Sequence, residues 1–122
     1  MQYLVQLRLA SPLRPLTPED GIAFIEQFIF PTLEMCKNLQ KEKKIIGGGP
    51  VSGAVALALI VNAESAKELD ALITSLPVWP RMETEVTPLT TFDDRRQSIL
   101  PLHEALKAQA SKIKTSTSGG AQ

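Results

Sequence analysis

The chain has 122 residues, 43% of them hydrophobic, which is enough for one core and short of two comfortable ones. Lys and Arg number 13 and Asp and Glu 13, so the formal net charge is zero and no global field is available to hold a nucleic-acid backbone or an anionic membrane. The single cysteine, Cys36, excludes an internal disulfide framework and leaves no cysteine cluster for zinc. Zero net charge also does little to oppose self-association, which favours a homo-oligomer. The first residues carry neither a basic n-region nor an apolar h-region, and no run approaches the length that spans a bilayer. The expectation is a soluble cytoplasmic protein.

Gln2 to Leu9 alternates, with Tyr3, Val5, Leu7 and Leu9 on one face and Leu4, Gln6 and Arg8 on the other, as in a strand with one buried face. Ser11 to Leu16, with Pro12 and Pro15, reads as a connection. Thr17-Pro18-Glu19-Asp20 is a helix start: a hydroxyl cap, a proline at the first helical position and acids where the dipole favours them. Ile22, Ile25, Ile29, Cys36 and Leu39 keep helical spacing towards Lys43. Pro31 lacks an N–H and its ring clashes with the carbonyl of Gln27, which predicts a kink or break between Gln27 and Phe30.

Lys44-Ile45-Ile46 starts a second strand that runs into Gly47-Gly48-Gly49-Pro50-Val51-Ser52-Gly53. The glycines invite comparison with a phosphate loop. No Lys-Ser or Lys-Thr follows them and the next segment is a strand, so a bulged hairpin connection is the better reading. Ala54 to Val61 then sets Val55, Leu57, Leu59 and Val61 against an opposite face of Ala54, Ala56, Ala58 and Ile60. Ser65-Ala66-Lys67-Glu68 is a capping box, and Leu69, Leu72, Ile73 and Leu76 follow at amphipathic spacing. Pro77 ends that helix and Pro80 pushes Trp79 towards extended geometry, so the chain turns a corner whose direction is set by sterics. Beyond it, Met82, Thr84 and Val86 alternate with Glu83, Glu85 and Thr87, and Pro88 marks an edge strand.

After Phe92 the pattern changes. Asp93-Asp94-Arg95-Arg96 reads as a charged connector, followed by a helix from about Ser98 that holds Pro101 in its first turn. Ile99, Leu102, Leu106 and Ile113 form a narrow stripe on it that must cover its own domain or a neighbouring subunit. Thr115 to Gln122 is small and polar and reads as a flexible tail. The expected divisions are a core domain over 1–92, a helical extension over 93–113 and a tail over 114–122.

The order strand, helix, strand, strand, helix, strand is the α+β, ferredoxin-like β-α-β-β-α-β arrangement. Both helices cover one face of a four-stranded antiparallel sheet, and here an extra C-terminal helix follows. The other face, carrying Leu4, Ala54, Ala56, Ala58 and Ile60, is too apolar to stay bare, so two sheets should meet in a dimeric α+β barrel. Leu4, Gln6, Arg8, Glu83 and Glu85 would line the enclosed cleft.

Leu76-Pro77-Val78-Trp79-Pro80, then Met82, Glu83 and Glu85-Val86-Thr87-Pro88-Leu89, resembles the end of muconolactone Δ-isomerases, in which such a proline corner leads into Glu-Val-Thr-Pro-Leu. The element order agrees over residues 1–92. The resemblance implies a small oligomer that needs no cofactor and moves a double bond within an unsaturated lactone. That chemistry needs a base for a carbon-bound proton, a donor for the enolate oxygen and an acid to return the proton. One desolvated carboxylate can serve as both base and acid; Glu83 and Glu85 are the available pair, repelling each other on one strand face, and Arg8 is the candidate for stabilising the negative charge. Gln6 and Leu4 lie beside them as substrate-binding candidates. Arg81 is a second cation at the corner, and Trp79 is either an anchor there or a platform for substrate. The sole histidine, His103, sits on the appended helix and reads as a surface or interface residue. A second reading keeps the fold without the chemistry, as a small-molecule-binding or assembly protein whose acids are merely solvated.

Overall fold

The computed structural model describes residues 1–9 and 17–120, with side chains through Ile113. The proline-bearing connection expected at Ser11 to Leu16 lies outside the described residues. One compact unit spans Met1–Leu89. In chain order it comprises β1 (Gln2–Leu9), α1 (Pro18–Phe24), a π-helical segment (Ile25–Ile29), α2 (Phe30–Lys41), β2 (Ile45–Pro50), β3 (Ala56–Asn62), α3 (Ala66–Thr74), a 3₁₀ turn (Trp79–Arg81) and β4 (Met82–Leu89). The strands form one sheet in the order β2-β3-β1-β4, every neighbouring pair antiparallel, which is the ferredoxin-like topology.

Alternation along β1 sorts the molecule into two faces. Tyr3, Val5 and Leu7 point into a core shared with Leu57, Leu59 and Val61 of β3 and Leu69, Leu72, Ile73 and Leu76 from α3 and its end. Met35, Cys36 and Leu39 of α2 pack against the same cluster. Val5, Leu7, Val61 and Leu76 lose essentially all contact with water, worth about 1.5–3 kcal/mol each by transfer. The even-numbered residues of β1 and their partners face the other way, where none of the described helices of this unit contributes to the core.

The helix caps follow the sequence chemistry. Thr17 Oγ1 accepts from the Asp20 N–H at 3.1 Å, and Ser65 Oγ accepts from the Glu68 N–H at 3.1 Å. The Glu68 carboxylate returns not to Ser65 but to the N–H of Glu64, at 3.0 Å. The irregularity expected around Pro31 is a π bulge: the Phe30 N–H reaches back to the Ile25 carbonyl, and α2 restarts with the proline in its first turn, where its missing donor costs nothing. The inserted residue shifts the helical phase. Ile22 and Ile25 are therefore exposed, while Cys36 and Leu39 are partly buried against the core, and the single stripe predicted from Ile22 to Leu39 is split.

Thr32 ties this bulge to the proline corner. Buried to 2% exposure, it donates from Oγ1 to the Phe28 carbonyl at 2.7 Å and accepts from the Val78 N–H at 3.2 Å. Its hydroxyl thus satisfies a carbonyl loosened by the bulge and a buried N–H of the turn, so neither is left unpaired. The corner itself closes through Trp79 N–H to Leu76 O and Arg81 N–H to Val78 O, both at 2.9 Å.

The glycine run is not the hairpin connection. Gly47, Gly48 and Gly49 lie inside β2, paired with Ile60, Leu59 and Ala58, and the bulge falls between Ile45 and Gly47. The turn comes later, around Gly53, and β3 starts at Ala56. Gly48 has φ +90, and a Cβ there would sit 2.0 Å from the Ala58 carbonyl oxygen.

The second unit, Thr90–Gln122, is dominated by one helix, α4 (Phe92–Gly120). It begins earlier than its apolar stripe implies. Thr91 caps it, accepting from the Asp94 N–H at 3.0 Å, and Asp93 and Asp94 occupy the first turn, where the dipole favours acids. Asp93 to Arg96 is thus helix and not a connector, and Pro101 falls in the helix interior. Ile99, Leu102, Leu106 and Ile113 are all exposed on it. No helix among the described residues is long and apolar enough to cross a membrane.

Steric exclusion at Gly48 yields a sharp expectation. Gly48→Ala should cost about 3 kcal/mol or more in urea unfolding, through strain and displacement of β3. Gly49→Ala, whose Cβ meets nothing within 4 Å, should shift stability by less than about 1 kcal/mol. Equal effects would contradict the β2 geometry.

Candidate functional site

The uncovered sheet face divides into two halves of different chemistry. On the β2–β3 side it is a floor of small and aliphatic groups, with Gly47 opposite Ile60 and Gly49 opposite Ala58. On the β1–β4 side it is polar, because register puts Gln6 opposite Glu85 and Arg8 opposite Glu83. Directly opposed residues on an antiparallel pair share a face, so four hydrogen-bonding side chains from two strands converge without a loop to place them.

Gln6, Arg8, Glu83, Thr84 and Glu85 line a recess of about 410 Å³. Its donors and acceptors are a guanidinium, an amide and two carboxylates. The ion pairs among the described residues are Lys37–Glu34 at 3.9 Å, Lys44–Glu42 at 3.7 Å and Lys107–Glu104 at 3.8 Å, all on exposed helix or turn positions. None involves Arg8, Glu83 or Glu85, so the recess charges are not consumed by one another. Glu83 and Glu85 are exposed in the single chain.

The other sequence-derived candidates separate. Leu4 lies on the same face, partly buried between Ile60 and Thr87, two residues along β1 from Gln6. Arg81 stands apart from the recess lining: its guanidinium carbon lies 4.9 Å from the centroid of the Phe28 ring, a cation–π contact that holds β4's start against the π segment. Trp79 is 38% exposed at the head of the 3₁₀ turn and belongs to the corner. His103 is exposed on α4. Thr84 and Thr32 were not singled out by the sequence. Thr84 follows only from its place between the two glutamates, and Thr32 only from the bulge it serves. Burial pushes the Cys36 thiol up, which leaves it protonated and unreactive near neutral pH. Among the described residues no three His, Cys, Asp or Glu side chains converge as a metal site would require.

A four-stranded ferredoxin-like sheet with a polar recess on its helix-free side defines a small α+β protein. The chain belongs to the muconolactone delta-isomerase family, whose sequence profile matches residues 1–95 and so stops within the first turn of α4. Among curated proteins no relative matches. Several solved structures share the fold, two of them as follows. A crystal structure of muconolactone isomerase aligns with TM-score 0.62 at 23% identity, over 75% of this chain and 90% of that one. The 5-chloro-2-hydroxyhydroquinone dehydrochlorinase TftG from Burkholderia phenoliruptrix AC1100, solved with 2,5-dihydroxybenzoquinone, aligns with TM-score 0.56 at 20% identity, over 77% and 98%.

Because Arg8 and Glu83 are opposed but not paired, they should contribute independently to stability. A double-mutant cycle with Arg8→Met and Glu83→Gln, followed by urea unfolding, should give a coupling below about 0.5 kcal/mol. A coupling above about 1 kcal/mol would make them a structural ion pair.

Proposed function

We propose that this protein is an isomerase that shifts a double bond in a small unsaturated lactone or related acid by proton transfer, without a cofactor. The observation that carries the reading is the register of β1 with β4, which gathers Gln6, Arg8, Glu83 and Glu85 into one recess. Membership of the muconolactone delta-isomerase family supports that reaction class.

Glu85 takes the proton from the saturated ring carbon at the far end of the conjugated system. The electron pair moves through the double bond onto the carbonyl oxygen, and the resulting dienolate is stabilised by the Arg8 guanidinium and the Gln6 amide. The same carboxyl, now protonated, returns the proton to the carbon next to the carbonyl, so atoms and charge balance and the only change is the position of the double bond. Glu83 adds a second negative charge beside Glu85 on the same strand face. Leu4 bounds the apolar side of the bound ring. Trp79 and Arg81 shape the corner from which β4 departs and touch substrate only at the margin.

The recess of one chain is open, and a carboxylate base needs shelter from water to act on a carbon acid. In our reading a second copy supplies it, stacking its helix-free sheet about 10 Å away to form a dimeric α+β barrel. The small residues Gly47, Gly49 and Ala58 favour that approach, and near-zero net charge does not oppose it.

Glu85→Gln should lower kcat on muconolactone by about a hundredfold or more with little change in KM, and Arg8→Met should lower it by about a hundredfold. Unchanged turnover in Glu85→Gln would remove it as the base. Independently, Ala58→Arg should convert the assembly to smaller species in sedimentation velocity, by burying a charge between the sheets. A monomeric wild type, or an unaltered mass for the variant, would rule out the barrel.

A further inference from the structure

The muconolactone delta-isomerase profile ends at residue 95, so nearly all of α4 lies beyond it. Every described side chain of that helix, through Ile113, is exposed. Phe92, Ile99, Leu106 and Ile113 recur at intervals of seven and Leu102 falls beside them, so the five form one stripe along about 33 Å of helix. Charge is sorted around the stripe. At about 100° per residue, Arg95 falls within it and Arg96 and Lys107 lie along one margin, whereas Asp93, Asp94 and Glu104 stand about 120° or more from its axis. Lys112 shares the side of Asp94. The whole chain is neutral, yet the face of α4 that carries the apolar groups is basic. The Lys107–Glu104 pair at 3.8 Å is open to solvent at both side chains, so it does not withdraw Lys107 from another anion.

We infer that α4 is a docking helix for an anionic lipid surface: it lies in the plane of the bilayer, its stripe entering the boundary between headgroups and acyl chains and its cations meeting lipid phosphates. The stripe supplies the apolar contact and its basic margin selects the sign of the surface. Arg95, though inside the stripe, has a stem long enough to follow the apolar contact while its guanidinium reaches the phosphate level. A second α4 is the weaker occupant. In a two-helix seam with Phe92, Ile99, Leu106 and Ile113 at the a positions, the d positions are Arg95, Leu102 and Gln109, so a charge and an amide would be buried against the partner. A bilayer surface leaves both groups in contact with water. Pro101 falls on the polar side, where it does not interrupt the stripe. The contact is peripheral, because no described helix is long and apolar enough to cross the bilayer.

This inference goes beyond the proposed isomerase and is read without turnover, so Glu85→Gln should leave lipid binding within twofold. The test floats the full chain with vesicles of phosphatidylcholine and phosphatidylglycerol in equal parts, and with vesicles of phosphatidylcholine alone. Binding to the mixed vesicles is expected, at least tenfold weaker on the neutral ones and at least tenfold weaker in molar salt. The double variant Leu102→Asp, Leu106→Asp should weaken it at least tenfold while retaining the thermal midpoint, since both positions are exposed. Facing is read separately and needs no charge in the stripe. In a Cys36→Ser background, an NBD fluorophore attached through Leu102→Cys should brighten and shift to the blue on mixed vesicles, while one attached through Glu104→Cys should not. Failure to float with the mixed vesicles, equal affinity for the two compositions, unchanged affinity in the double variant, or equal responses at the two labelled positions would overturn the inference. So would a lower sedimentation mass of the double variant without lipid, which would place the stripe between copies of the chain.

Discussion

Strand β1 is central, paired with β3 on one side and β4 on the other, and its side chains alternate without a bulge from Gln2 to Arg8. Because the period is two, the choice that buries Tyr3, Val5 and Leu7 also turns Leu4, Gln6 and Arg8 to the opposite face. A slip of one residue would exchange every side chain between core and surface. Burial of the odd residues thus sets, at no further cost, where the polar ones stand and which residues of β4 they meet. Glu83 and Glu85 reach Arg8 and Gln6 because Val86 must oppose Val5 and Thr84 must oppose Leu7. The placing of the candidate side chains is a by-product of the hydrophobic register.

A second constraint holds the start of β4. Pro77 and Pro80 restrict the corner, but restriction alone does not position it. Thr32 does so with one hydroxyl that joins the π bulge to Val78, and Arg81 over Phe28 adds a contact between the same two regions. The bulge and the corner are therefore one structural unit. Helix distortion and corner are thus joined near Pro31.

The alternating strands, the two capped helices and the helix-breaking prolines were legible because each depends on local sterics or on a short period. Gln6, Arg8, Glu83 and Glu85 were legible as neighbours because topology and alternation together determine facing. What escaped the sequence depended on phase and on distant partners. Pro31 announced a disturbance, but whether it takes the form of a kink, a break or an inserted residue is decided by Thr32 and Val78, 46 positions apart. The glycines around Gly48 looked like a turn because glycine is common there. In place they serve a strand whose neighbour comes too close for a Cβ. Thr91 is not legible as a cap because the apolar stripe starts only at Ile99, and a helix whose first turns are charged shows no periodicity to read.

The account rests on the helix-free face being closed by another copy around a ligand held between Glu85 and Arg8. A crystal structure with muconolactone bound addresses this directly. The account predicts two sheets face to face, with the lactone oxygen turned towards Arg8 and a ring carbon within reach of the Glu85 carboxylate. A lactone bound away from both side chains, or a sheet face left open to solvent with both glutamates hydrated, would contradict it.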